Sequence, residues 1–483
     1  MFSAVSWLWS VHAAKLGAKA IVSDVLHLPM TTRGLTQRFC CLLGSVLLSL
    51  LPVQWTTATE PDDVETHRVF YVRQTVGDDA NDGLSPNKAW RSMSMLGKAL
   101  RAGDSAYIGP GLYREEATLA NSGTANAWIT LIADTTGAFT GDPAGVVMVT
   151  GAEAIDERIF VEQPALGVFT APSPEERVLG IVEMDGPQYL YKSVRGTRAF
   201  LKDGVPALEV LAGLPSSFFY DRDAKAVYIH TSDSRPPTAH EIEFIHRQSG
   251  ITTHGKEHVA VVGFTFRHMG LAGINFDLGS SHCAAIHNTS YGAWQGIRVC
   301  NSTDVMVVDN TLFRNSNCGV YFLSASAHGY AVGNVLYQNS KGIRWSSDSA
   351  HGMALNNLVF ANHDTGILIQ NADDIRLSGN VLVNNVISQL TVKKSRYRSR
   401  GNCFETRDSE QLVAQIDFTG RYKTLLEYQQ AVKQDLDSLE RCDALPAKED
   451  VHKLHAESLA YAERARARLA KEATKGSSPG SSK

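Results

Sequence analysis

Six glycines, Gly250, Gly273, Gly296, Gly319, Gly342 and Gly366, recur at steps of 23, 23, 23, 23 and 24 residues. Each opens a similar phrase: GITTH, GINFD, GIRVC, GVYFL, GIRWS, GILIQ. A period of this size, with one glycine and one short alternating apolar run per repeat, defines units that bury their apolar face only against a neighbouring copy. The segment from Arg247 to Glu405 is therefore read as a solenoid.

A second beat falls in the other half of each repeat. Asn288, Asn310, Asn334, Asn357, Asn380 and Asn402 follow at steps of 22, 24, 23, 23 and 22, and Asn315, Asn339, Asn362 and Asn385 stand five residues after four of them. Stacked coils lie about 4.8 Å apart, so equivalent side chains form ladders along the axis. Asn suits a turn corner because its amide bonds both local backbone and the Asn above. Phe264 stands where the first ladder should begin. Alternation points Ile251, Ile274, Ile297, Val320, Ile343 and Ile367 inward, followed by Phe276, Val299, Phe322, Trp345 and Ile369. This pattern resembles the right-handed parallel β-helix repeat proteins of the pectate-lyase-like superfamily. The resemblance implies an all-β fold, export from the cytoplasm and action on acidic polysaccharides.

Residues 69–116 carry a second likeness. FYVRQTVGDDANDGLSPNKAW, a short helix and PGLY resemble the N-terminal cap of such proteins. Leu96, Ala99 and Leu100 put an apolar stripe on that helix, which can plug the open end of the first coil. The loop Asp78, Asp79, Asn81, Asp82, Gly83 has acidic residues but lacks the spaced final ligand of a calcium loop. It reads as a solvated turn, and Ca2+ is the one cation left open; no cofactor motif is present.

The remaining organisation follows from where the period breaks. Residues 1–58 form a leader whose apolar run from Phe39 to Trp55 has the length of a signal-peptide core, with Met30 an alternative start. Residues 59–151 hold the cap and first coils, and 152–245 an insertion in which Phe218 to His230 reads as a hairpin. Regular coils occupy 246–405, a helical region 406–475 and a flexible tail 476–483. Within the helical region, Leu425, Tyr428, Val432, Leu436 and Leu439 predict an amphipathic helix over Tyr422 to Leu439. It is expected to cap the last coil or to cover an outward apolar row, Tyr291, Phe313, Tyr337, Phe360 and Val383.

Composition narrows the partners. With a net charge of -4, the chain has no general attraction to nucleic acid, and once the leader is removed nothing calls for a membrane. The seven Cys show no metal-type spacing. A bridge between Cys403 and Cys442 can be drawn, but no spacing supports it; Cys283 falls at an inward position.

No nucleophile elbow, zinc-protease helix, phosphate loop or dinucleotide fingerprint is present. Nor is the residue set of polygalacturonase-type hydrolases; Asp373 and Asp374 sit where a turn begins. A site must be assembled from separate rungs. One outward row reads Asn275, Arg298, Tyr321, Arg344, Leu368, and two residues further on come Asp277, Cys300, Leu323, Ser346 and Gln370. Just before the glycines lie Trp294, Lys341, His363 and Asp364. Arg298, Tyr321, Trp294 and Asp277 form a candidate substrate strip, because arginines bind carboxylates bidentately and rings stack on sugars. An ordinary solvated face accounts for the same residues.

If the strip is catalytic, β-elimination of a uronate polymer is the economical reaction. It needs a base and cations beside the developing charge. Lys341 is the first candidate base with Arg344 as stabiliser, and His363 with Asp364 is the alternative pair. The rival functions are a non-catalytic carbohydrate-binding or envelope protein, a glycoside hydrolase, or a uronate epimerase. A corner row, His282, Asp304, His328, His351, Asp374 and Arg396, reads as turn chemistry in preference to a metal site.

Overall fold

The computed structural model describes residues 67–173, 178–184, 192–194, 206–417 and 419–442. The described residues from Arg68 onward, apart from 125–127, lie in one compact unit. The leader, the part of the expected helical region beyond residue 442 and the tail lie outside the described residues.

Among the described residues, three parallel sheets wind around one core, with ten, nine and ten strands. Each regular coil contributes one short strand to every sheet. The coil through Gln295–Cys300, for example, continues into Met306–Val308 and Thr311–Phe313. The next coil repeats this with Cys318–Leu323, Tyr330–Val332 and Val335–Tyr337, in register. The third sheet runs from Ala117–Thr118 through Ser249–Thr252 to Leu412–Ile416, and closes on an antiparallel strand, Gly420–Tyr422.

The inward columns are those alternation selects. Ile251, Ile274, Ile297, Val320, Ile343 and Ile367, with Phe276, Val299, Phe322, Trp345 and Ile369, all belong to one buried cluster. The periodic glycine lies where coils approach most closely: a Cβ on Gly296 would stand 2.6 Å from the Gly319 carbonyl oxygen. Any side chain there would force neighbouring coils apart.

Corners between strands hold single residues in the left-handed region. His282, Asp304, His328, His351 and Asp374 have φ of 52°, 53°, 51°, 55° and 48°. Asp and His tolerate this conformation better than most residues, which explains the polar corner row. The Asn columns lie inside the coil and form continuous ladders. The Nδ2 of Asn310 donates to Asn334 Oδ1 at 3.0 Å, and the pattern repeats to Asn402. Asn315, Asn339, Asn362 and Asn385 form the second ladder, which ends on Gln389. Phe264 heads the first, its backbone N–H donating to Asn288 Oδ1.

At the start of the chain, α1 (Ser94–Ala99) buries Leu96 in the coil core, with Leu100 beside it and Ala99 packed against it. The preceding loop is held by its own acids. Asp79 accepts from the Arg91 and Ser92 N–H groups and the Ser92 hydroxyl, and Asp78 and Asp82 each accept from a residue two further on. These oxygens are used in turn bonds.

The insertion forms two sheets, one antiparallel and one mixed. One joins Ala152–Ala154, Gly180–Glu183 and Ile242–Ile245, and the other includes the hairpin Ser217–Asp221 with Ala226–His230. α2 (Ala207–Ala212) packs on that hairpin through Leu211.

The helix expected over Tyr422 to Leu439 is shorter. α3 spans Leu425–Val432, opened by a Thr424/Glu427 capping box and stopped by Lys433 in the left-handed conformation. Leu436 and Leu439 therefore leave the helical face and are exposed. Leu425 and Tyr428 enter the main core, so α3 caps the last coil. The outward apolar row is not bare: Phe313, Tyr337, Phe360 and Val383 are buried, and the Tyr291, Phe313, Tyr337 and Phe360 rings stack at 4.8–5.1 Å. A Cys403–Cys442 disulfide closes the end of this row.

Candidate functional site

The third sheet brings the strip together. Arg298 pairs in register with Tyr321 and Tyr321 with Arg344, on consecutive strands. The Arg344 guanidinium carbon lies 4.6 Å from the Tyr321 ring centroid, a cation–π contact. The Tyr321 hydroxyl is 2.8 Å from Ser346 Oγ, and Arg344 donates to Gln370 Oε1 at 3.4 Å. The ring thus has one partner at its hydroxyl and another over its face. The Nε atoms of both Arg298 and Arg344 are buried without a hydrogen-bond partner.

Lys341 and Asp364 meet as an ion pair at 2.7 Å, mostly sheltered. His363 is exposed, and the Asp364 carboxylate turns to Lys341 instead. Trp294 is 46% exposed, one residue before the strand that carries Arg298.

Asp277 opens onto a feature the residue columns alone did not single out. Its Oδ1 lies 2.8 Å from His254 Nδ1 and its Oδ2 accepts from Asn275 Nδ2 at 2.8 Å. Asn275 Oδ1 in turn accepts from Arg298 at 2.9 Å. The Arg298, Asn275, Asp277 and His254 side chains thus form one chain of bonds over three coils. The signal for His254 was available: it occupies the Asp277 column one repeat earlier, in GITTH.

The corner row assembles as stacked rings. His258 and His282 lie 4.8 Å apart, His328 and His351 5.2 Å apart, and His351 bonds Asp374 at 3.1 Å. Among the described residues no group of three or more His, Cys, Asp or Glu side chains could hold a metal ion. Burial pushes the Cys283 and Cys318 thiols up to about 12, so both are packed as neutral thiols.

The winding, the inward columns and the ladders define a right-handed parallel β-helix, the fold of the pectate-lyase-like proteins. A family profile described as periplasmic copper-binding protein (NosD) matches residues 216–411. Among solved structures, the chain is similar to XylC in complex with xylose, at 13% identity and a TM-score of 0.47, covering 72% of this chain and 69% of that one. It is also similar to the pectate lyase Pel9A, at 14% and 0.39, covering 74% and 78%. A third is a lacto-N-biosidase from Eubacterium ramulus, at 12% and 0.41, covering 77% and 66%. No curated protein matches the chain in sequence.

Proposed function

We propose that this protein is an exported, carbohydrate-active β-helix protein that binds an acidic polysaccharide along the third sheet and cleaves it by β-elimination. The observation that carries the reading is the Arg298, Tyr321, Arg344 strip. It sets two guanidinium groups two strands apart, about 10 Å by strand spacing, with an aromatic ring between them. Such spacing suits carboxylates carried on alternate units of a polymer, and Trp294 offers a sugar a stacking face. Arg344 and Arg298 would stabilise charge that builds on the carboxylate as the neighbouring proton leaves. Lys341, paired with Asp364, stands at the edge of the strip.

Export is supported by the apolar leader and by the Cys403–Cys442 bridge, which suits an oxidising compartment. Among the described residues no helix is long and apolar enough to cross a membrane.

The test is to incubate the full mature chain with alginate and polygalacturonate and follow the ultraviolet absorbance of unsaturated uronate products. Absorbance should rise with at least one polymer, and Arg344→Ala should lower kcat by about 10²–10³-fold. Binding without product would favour a non-catalytic carbohydrate-binding protein; neither binding nor product would end the polysaccharide reading.

A further inference from the structure

We infer that His254, oriented by Asp277 and Asn275, is the general base of this site, an assignment that rests on the polysaccharide reading above. An ionised carboxylate only accepts hydrogen bonds, so the 2.8 Å contact to Asp277 places a proton on His254 Nδ1. In the neutral imidazole that leaves the Nε2 lone pair available, and the side chain is 47% exposed while Asp277 beside it is 12% exposed. One edge of the ring is anchored in the sheet and the other faces the surface.

The surroundings hold this geometry. His254 takes the left-handed conformation, φ 47°, at the corner that follows Ser249–Thr252. Its flanking backbone is pinned: the Gly255 N–H donates to the Asp277 carbonyl oxygen at 2.8 Å, and Thr253 Oγ1 lies 2.7 Å from Ser280 Oγ. Asn275 occupies the second Asp277 oxygen, so the carboxylate cannot rotate away without breaking a buried bond. Arg298 donates to Asn275, which ties the base to the same strip that would bind the substrate carboxylates. Asp277 and Asn275 are positioning residues in the manner of the acid behind a catalytic histidine.

In the step assigned to it, His254 Nε2 takes the proton from the ring carbon that bears the carboxylate. The C–H electron pair becomes the new carbon–carbon double bond, and the glycosidic C–O bond on the adjacent carbon breaks. The departing oxygen leaves with that bonding pair and is protonated by solvent. No oxidant or further reactant is needed.

The experiment uses the full chain with alginate and polygalacturonate as probes, reading unsaturated product and, separately, polymer binding. His254→Gln should lower kcat by about 10²–10⁴-fold with binding retained, and added imidazole should restore turnover to His254→Ala. Asp277→Asn should lower kcat with little change in KM. If the wild type is active and His254→Gln stays within a few-fold of it, the base assignment is overturned and the elimination reading stands. If the wild type forms no product from either polymer, the elimination reading falls and takes the base with it.

Discussion

Glu243 sits where the insertion meets the coils, and its charge is held by three partners. His268 Nδ1 lies 2.8 Å from one oxygen, and Arg114 and Arg267 reach the other at 3.2 and 3.1 Å. Burial alone would raise its carboxyl, but the bond from His268 and the positive charge of Arg267 outweigh it and hold the group at about 2. Burial also keeps His268 below the ordinary imidazole value. Both folded values lie below the unfolded ones. The stabilisation from this pair is therefore complete above the ordinary imidazole range and is lost as pH falls, with Glu243 contributing its part from about 4.5 down to about 2. Glu243→Gln is expected to cost about 3 kcal/mol at neutral pH, because it removes the buried carboxylate that Arg114 and Arg267 share, and to flatten the acid limb of the stability profile. Urea unfolding across a pH series checks this; an unchanged acid slope would contradict it.

Within a coil, the Asn columns do the work that ladder bonds cannot do at a corner. Asn334 accepts from both the backbone and the side chain of Asn310, and donates to the Val307 carbonyl and to Asn357. Asn334→Ala would leave several buried groups unsatisfied at about 1–3 kcal/mol each, so a loss of at least about 3 kcal/mol is expected. The same change at Asn402, whose partners include side chains of the C-terminal cap, should loosen that cap before it loosens the coils. Hydrogen exchange on the two variants separates these outcomes. These columns were legible because a fixed period turns sequence spacing into vertical alignment. The Arg298, Tyr321, Arg344 alignment was legible for the same reason, and His254 would have been found by extending the Asp277 column back one repeat. The end of α3 was not, since the apolar spacing continues past Lys433 while the backbone there turns left-handed.

Over the whole molecule, a solenoid is stabilised by neighbour contacts and is vulnerable at its ends, where core and strand edge would otherwise be open. α1 closes one end. At the other, α3 places Tyr428 in the core, where its hydroxyl lies 2.9 Å from that of Tyr397, and the disulfide ties the chain after α3 back to Cys403. Closing a loop with a sequence separation of 39 typically contributes about 2–4 kcal/mol. Cys442→Ser should lower thermal stability accordingly and expose the chain beyond Glu405 to limited proteolysis before the central coils are cut. Equal protease resistance of variant and wild type would show that α3 is held by packing alone.

The repeat by itself determined the winding, the inward columns, both Asn ladders and the alignment of the arginine strip, because each is a consequence of period and alternation. Tertiary structure alone decided which partners the polar side chains took. Lys341 was claimed by Asp364, the corner histidines by each other's rings, and Asp277 by His254 and Asn275. The difference is physical: a backbone period is set by bonds every coil repeats, whereas a side chain on the outer face settles on whichever charge or ring its own rotamer can reach.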